Sequence, residues 1–234
     1  MKQSKDSGEV LLTLNTSPYK FRSQLLCPFG PRLGHYVLND AAVERLTLLT
    51  DEILNDPNRK SRGDRLAGQV SEEPDITDAH LRQAGVWEFF HEALERYVEM
   101  VDLGEAPDRY SIRQRRPVKV GLQSSWIVSQ YENEYNPIHW HPGCTISGVL
   151  YLKVPEFPDR EHHKGTTKKN QDGKIVFLGQ NHTDPDTSLE NATFVVHPVV
   201  GEMYLWPSRL MHCVYPFQGP GERRCIAFNG IHRY

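Results

Sequence analysis

Apolar residues recur along the chain in two different rhythms, and the change falls near Val118. Ahead of it, Ala41 to Leu54 places Val43, Leu46, Leu48, Leu49 and Ile53 on one broad stripe, and Pro57 closes the segment. Apolar residues three and four apart share a face in a helix, so this spacing predicts one. Asp78 to Leu103 repeats the pattern with Leu81, Ala84, Phe89, Ala93, Val98 and Val101, followed by Gly104, and predicts a single long helix. Between the two, Asn58 to Asp75 is charged and glycine-containing and reads as a loop. Past Val118, short runs of strand composition alternate with turn residues: Val120–Tyr131, Thr145–Val154, Lys174–Leu178, Thr193–Val200, Glu202–Trp206 and Arg224–Asn229. Short strands at this spacing make a sandwich or barrel, and helices ahead of them cover one sheet face. The expected organisation is therefore one domain over 1–234. Its 1–117 part is helical or irregular and packs on a β core at 118–234. Glu156 to Asp172, with His162, His163, Lys164, Lys168 and Lys169, is expected to be a surface loop.

Composition narrows the class. The 234 residues are 38% hydrophobic and 24% charged, which suits a packed core under a wetted surface and excludes disorder. Against 30 acidic residues stand 27 basic ones, a net charge of −3, so no nucleic acid or anionic membrane is expected as a partner. No apolar run reaches the roughly 18 residues of a membrane span. The polar start, with Lys2, Lys5, Asp6 and Glu9, shows no signal-peptide pattern. Cys27, Cys144, Cys213 and Cys225 have no metal-knuckle or redox spacing, and reduced thiols in a cytoplasmic protein are expected.

His139 and His141 are two apart just before a predicted strand. In an extended chain both imidazoles project the same way and form two corners of a metal site. Alone, such a pair reads equally as surface polarity. What changes the picture is Pro207-Ser208-Arg209-Leu210-Met211-His212, which follows the apolar Leu205-Trp206 and precedes Gly221-Glu222-Arg223-Arg224-Cys225.

With these elements the sequence resembles the Fe(II)- and 2-oxoglutarate-dependent oxygenases, related to prolyl hydroxylases. More narrowly it resembles the family joining Tyr-Asn…His-x-His-Pro (Tyr135, Asn136, His139, His141, Pro142) to Ser-Gly-Val-x-Tyr-Leu (Ser147, Gly148, Val149, Tyr151, Leu152). The resemblance runs from about Trp126 to Asn229. It implies a mainly β fold with N-terminal helices, a double-stranded β-helix (jelly roll) buttressed by those helices. It implies Fe(II) and 2-oxoglutarate as cofactors, O₂ as co-substrate, and hydroxylation of a small molecule or peptide with release of succinate and CO₂. By the same resemblance His139 is the first metal ligand and His212 the distal one. Arg223, eleven residues past His212, holds the far carboxylate of 2-oxoglutarate, and Tyr151 reaches the same carboxylate. Tyr131 is a further candidate for that pocket.

The broad superfamily has Asp or Glu where this chain has His141, whereas the narrower family carries the same His-x-His. Replacing a carboxylate by imidazole raises the site's charge by one unit, and His141 reads either as a ligand or as a neighbour of the metal or substrate. Glu132 and Glu134 are carboxylates close by at other spacings. Relatives have a serine where Cys225 stands. Two other functions fit the three histidines: a zinc hydrolase or hydratase, which leaves Arg223 and Tyr151 without a task, and a jelly roll that binds metal or a small acid without turnover. Trp126, Trp140 and Trp206 read as core, with Trp140 facing away from the histidines beside it. Arg113, Arg115, Arg116 and Lys119 read as a wetted basic cluster. Arg224 is expected opposite Arg223 and in solvent.

Overall fold

The computed structural model describes residues 21–26, 30–104, 119–160, 163–167, 169–179 and 193–233; Cys27, Arg113, Arg115, Arg116, His162 and Lys168 lie outside them. Eleven strands are described. They are β1 (Phe21–Leu26), β2 (Leu33–Leu38), β3 (Asp75–Ile76), β4 (Lys119–Gln130), β5 (Asn136–His139), β6 (Ile146–Lys153), β7 (Ile175–Leu178), β8 (Thr193–Val196), β9 (Glu202–Pro207), β10 (His212–Val214) and β11 (Arg223–Arg233). The helices are α1 (Asp40–Asn55), α2 (Asp78–Gln83) and α3 (Trp87–Gly104).

The strands form two antiparallel sheets, β1-β2-β9-β6-β11-β4-β3 and β5-β10-β7-β8, without closing a barrel. The central strands of the larger sheet are buried on both faces, so their residues alternate between two cores. Ile127, Leu150, Met203, Leu205, Ile226 and Phe228 point outward into a cluster with Leu46 and Leu49 of α1, Leu81 of α2 and Phe90 and Leu94 of α3. Their neighbours Trp126, Val128, Val149, Tyr204 and Trp206 point inward and pack against Ile175, Phe177 and Val214 of the smaller sheet. This is a jelly roll buttressed by helices, as the resemblance implies.

Three expectations change. The segment predicted as one helix over 78–103 is two. A reciprocal Thr77–His80 cap starts α2, and Gly85, at φ +68°, turns the chain before α3. The N-terminal part also supplies strands: β2 joins the larger sheet beside β9, with β1 outside it, and β3 pairs with β4.

The third change is Arg224. It does lie on the opposite face from Arg223, but it is buried rather than solvated. Its guanidinium donates to both oxygens of Glu222, to Asp51 Oδ1 and to Thr50 Oγ1 at 3.0 Å, clamping α1 to β11. Removing one partner of such a pair strands the other charges. Arg224→Ala is therefore expected to cost about 3 kcal/mol, read as a lower urea midpoint, whereas Arg224→Met should recover part of it by packing.

Candidate metal centre

The site begins with two short strands. His139 ends β5 and lies directly across from His212, the first residue of β10. A bulge follows, so that the next registered pair is Asn136 with Val214. The chain then leaves β5. The His141 amide donates to the Ser208 carbonyl at 2.9 Å, which ties the turn after β5 to the turn after β9. The three rings meet with centroids 4.3 Å apart for His139 and His212, and 5.2 Å for each of the other pairs.

Each ring is oriented from behind. His139 Nδ1 lies 2.7 Å from the Pro137 carbonyl, His212 Nδ1 2.9 Å from the Leu210 carbonyl, and His141 Nδ1 2.7 Å from Asn229 Oδ1. These oxygens only accept, so each Nδ1 carries the proton and leaves an Nε2 lone pair free to bind a metal. The coordinating nitrogens lie within 4.8 Å of one another, those of His139 and His141 3.3 Å apart. Two nitrogens each about 2.1 Å from one ion would stand about 3.0–3.4 Å apart, so the donor set fits a divalent transition metal. Without such a cation the facing lone pairs repel.

Burial lowers the pKa of all three rings. His139 is depressed by desolvation. His141 is brought down to about 4 by desolvation, against the opposing Asn229 hydrogen bond and with help from His139. His212 lies well below its ordinary value through desolvation and the other two rings. All three are thus neutral and ready to coordinate at neutral pH. Below about pH 6.5 the unfolded chain takes up protons that the folded one refuses. The metal-free protein should therefore lose stability as pH falls from there towards about 4, by up to about 1.4 kcal/mol per pH unit per depressed ring. A flat urea midpoint across that range would contradict this.

Asn229 also accepts from Ser147 Oγ at 3.1 Å and directs its amide nitrogen to Ser124 Oγ at 3.5 Å. Its place is behind His141, at the lining of the same cavity. Asn229→Leu should lower metal affinity 10–100-fold in a competitive Co(II) titration, whereas Asn229→Asp, which keeps the acceptor, should retain most of it.

The histidines open into a cavity of about 440 Å³ that Arg223 also lines. Arg223 is 1% exposed; its Nε donates to the Gly173 carbonyl at 2.9 Å and its Nη1 to Gln130 Oε1 at 3.2 Å. It pairs with no carboxylate among the described residues. Its guanidinium carbon lies 5.1 Å from the centroid of Tyr151, whose fully buried hydroxyl has no hydrogen-bond acceptor among the described residues. Burial pushes that phenol upward, so it stays a proton donor. A buried cation without an anion and a hydroxyl without an acceptor are both costly, and one carboxylate of a bound diacid would satisfy both. The residues present thus fit 2-oxoglutarate as well as the metal.

His139, His141, His212 and Arg223 line one cavity; Tyr151 is buried against the Arg223 guanidinium, behind that lining, and Tyr131 stands apart from all of them. It follows β4 at 45% exposure, outside the cavity lining. Glu132 and Glu134 instead cap loops, accepting from Gly219 N, and from Ser71 N and Tyr131 N. Trp126 and Trp206 are core residues beside His141 and His212, while Trp140 is exposed at the cavity with Arg209 over its ring. Cys225 is buried, its sulfur 3.9 Å from Arg223 Nη1. Gln130, Glu73 and Asn136 also belong to this region. Only Asn136 had a sequence signal, as part of the Tyr-Asn motif.

Residues 124–229, a little under half of the chain, match the model of the family described as "Putative 2OG-Fe(II) oxygenase", and the match spans all three histidines and Arg223. The chain carries a 2OG-Fe(II) oxygenase domain. This family implies Fe(II) and 2-oxoglutarate as cofactors of the oxygenase domain. Among solved structures, the chain is similar to AviO1 from Streptomyces viridochromogenes Tue57, with 14% identity, TM-score 0.51, and coverage of 90% of this chain and 89% of that one. It is also similar to the non-heme alpha ketoglutarate dependent epimerase SnoN from nogalamycin biosynthesis, with 16% identity, TM-score 0.50, and coverage of 85% and 78%. These likenesses are of fold. No curated protein matches the sequence. No described helix is long and apolar enough to cross a membrane.

Proposed function

We propose that the oxygenase domain is an Fe(II)- and 2-oxoglutarate-dependent dioxygenase that hydroxylates its substrate and releases succinate and CO₂. His139, His141 and His212 hold the metal, and Arg223 with Tyr151 holds the far carboxylate of 2-oxoglutarate. When bound, iron and 2-oxoglutarate supply the oxidising chemistry, with O₂ as co-substrate. The chain's own residues do four things. The Pro137, Leu210 and Asn229 oxygens fix each imidazole so that its Nε2 faces the metal. Arg223 offers a planar, permanently charged donor set, itself held by Gly173 and Gln130, that sets the orientation of the diacid. Tyr151 adds a neutral donor. Trp126 and Trp206, packed against the imidazoles, keep water from that wall.

The observation that carries this reading is the pairing, in one cavity, of three imidazole nitrogens that face one another with a buried guanidinium that pairs with no carboxylate among the described residues. A zinc hydrolase would use the imidazoles and leave Arg223 idle. We take 1–234 as one unit, because α1–α3 cover the outer face of the sheet whose inner face carries Arg223. The test is conversion of 2-oxoglutarate to succinate under anaerobic Fe(II) loading followed by O₂. Turnover that requires Fe(II) supports the reading. Protein that takes up Fe(II) but does not bind 2-oxoglutarate overturns it.

A further inference from the structure

One wall of the same cavity holds polar groups that the metal and diacid do not use. Glu73 is 2% exposed, and its carboxyl makes no hydrogen bond or ion pair among the described residues; Oε2 is sealed from solvent without a partner. The Asn136 side chain likewise makes no hydrogen bond among those residues, and both groups line the cavity with His139. The bulge between β5 and β10 helps to bring Asn136 and His139 to one wall although they are three residues apart. Opposite them is Gly68. A Cβ on it would stand 2.6 Å from Asn136 Oδ1 and 2.8 Å from Glu73 Oε1, so the missing side chain leaves room for the two oxygens to converge.

We propose that Glu73 and Asn136 form the subsite that receives a protonated amine of the substrate. An ammonium group brings several N–H donors and a compensating charge to two converging acceptors. A hydroxyl would bring one donor and leave the carboxylate uncompensated, a carboxylate would be repelled, and an apolar group would leave both oxygens unsatisfied. Burial and the nearby Glu134 charge push the Glu73 carboxyl up to about 7, which marks how poorly its anion is served by the protein alone.

The cationic residues of the cavity do not cancel this preference. Arg62 is bound to Asp75 and lies over the Trp126 ring. Arg223 faces the diacid position, and Arg65 is exposed and screened by water.

The proposal rests on the oxygenase reading for what the amine belongs to, while the binding preference stands apart from it. Benzylamine, benzyl alcohol and benzoate are titrated calorimetrically into the full chain at neutral pH, with and without Mn(II) and 2-oxoglutarate. Benzylamine is expected to bind at least tenfold more tightly than the other two. Glu73→Gln, which keeps the shape, should remove that tenfold. Gly68→Ala, which fills the corner, should weaken benzylamine as well. Equal binding of amine and alcohol, or amine selectivity that survives Glu73→Gln, overturns the proposal. Failure of the wild-type chain to bind 2-oxoglutarate overturns the oxygenase reading instead, and the amine titration without cofactors still decides this one.

Discussion

His212→Ala is expected to lower divalent-metal affinity by more than about 100-fold, with loss of any 2-oxoglutarate turnover. Disturbing a group behind a metal ligand already costs 10–100-fold, and this change removes the ligand itself. Only His139 and His141 then remain, on β5 and the turn after it. His212 is 3% exposed, with Trp206 and Phe177 against its ring, so the variant also leaves a small void. The two effects separate experimentally. Far-UV circular dichroism reports the fold, and a Mn(II) or Co(II) titration of the folded variant reports the site. A folded His212→Ala protein that binds Mn(II) like the wild type would exclude the three-histidine centre.

The second large effect belongs to Arg223. Truncating one partner of a buried, hydrogen-bonded charge pair costs about 2–5 kcal/mol, which is roughly 30-fold to several thousandfold in affinity. Arg223→Ala should lose 2-oxoglutarate by that factor and keep its metal, because the guanidinium hydrogen-bonds to Gly173 and Gln130 rather than to the histidines. Arg223→Lys should fall between, since an ammonium keeps the charge but not the planar two-point geometry. Titration of Mn(II)-loaded protein with 2-oxoglutarate measures all three. If Arg223→Ala binds the diacid like the wild type, the anion sits elsewhere and the assignment of this end of the cavity fails.

Much of the fold was legible because strand and helix periods differ. The α1 stripe and the alternation along β4, β6, β9 and β11 are visible in the letters, and so is the separation of Arg223 from Arg224 onto opposite faces. The break between α2 and α3 was not visible, because Leu81, Ala84 and Phe89 keep helical spacing across a turn that only Gly85's backbone reveals. β5 and β10 escaped notice for another reason. They are four and three residues long, too short for a period to show, yet they carry His139 and His212. Arg224 was misread because alternation says which way a side chain points but not what covers that face; there, α1 delivers Asp51.

The sequence by itself determined the candidate donors and their order: His139 and His212 with His141 open between ligand and neighbour, a guanidinium and a tyrosine at family spacing, on strands whose period sends alternate residues to opposite sides. Tertiary structure alone decided which nitrogen of each imidazole is free, that Arg223 pairs with no carboxylate among the described residues, that Tyr131 stands outside the cavity, and that Glu73 lies within it. These depend on contacts between distant segments: Asn229 is 88 positions from the ring it orients, and Gly173 is 50 from the arginine it holds. Strand register across the sheets sets such contacts, and no local pattern of residues encodes it.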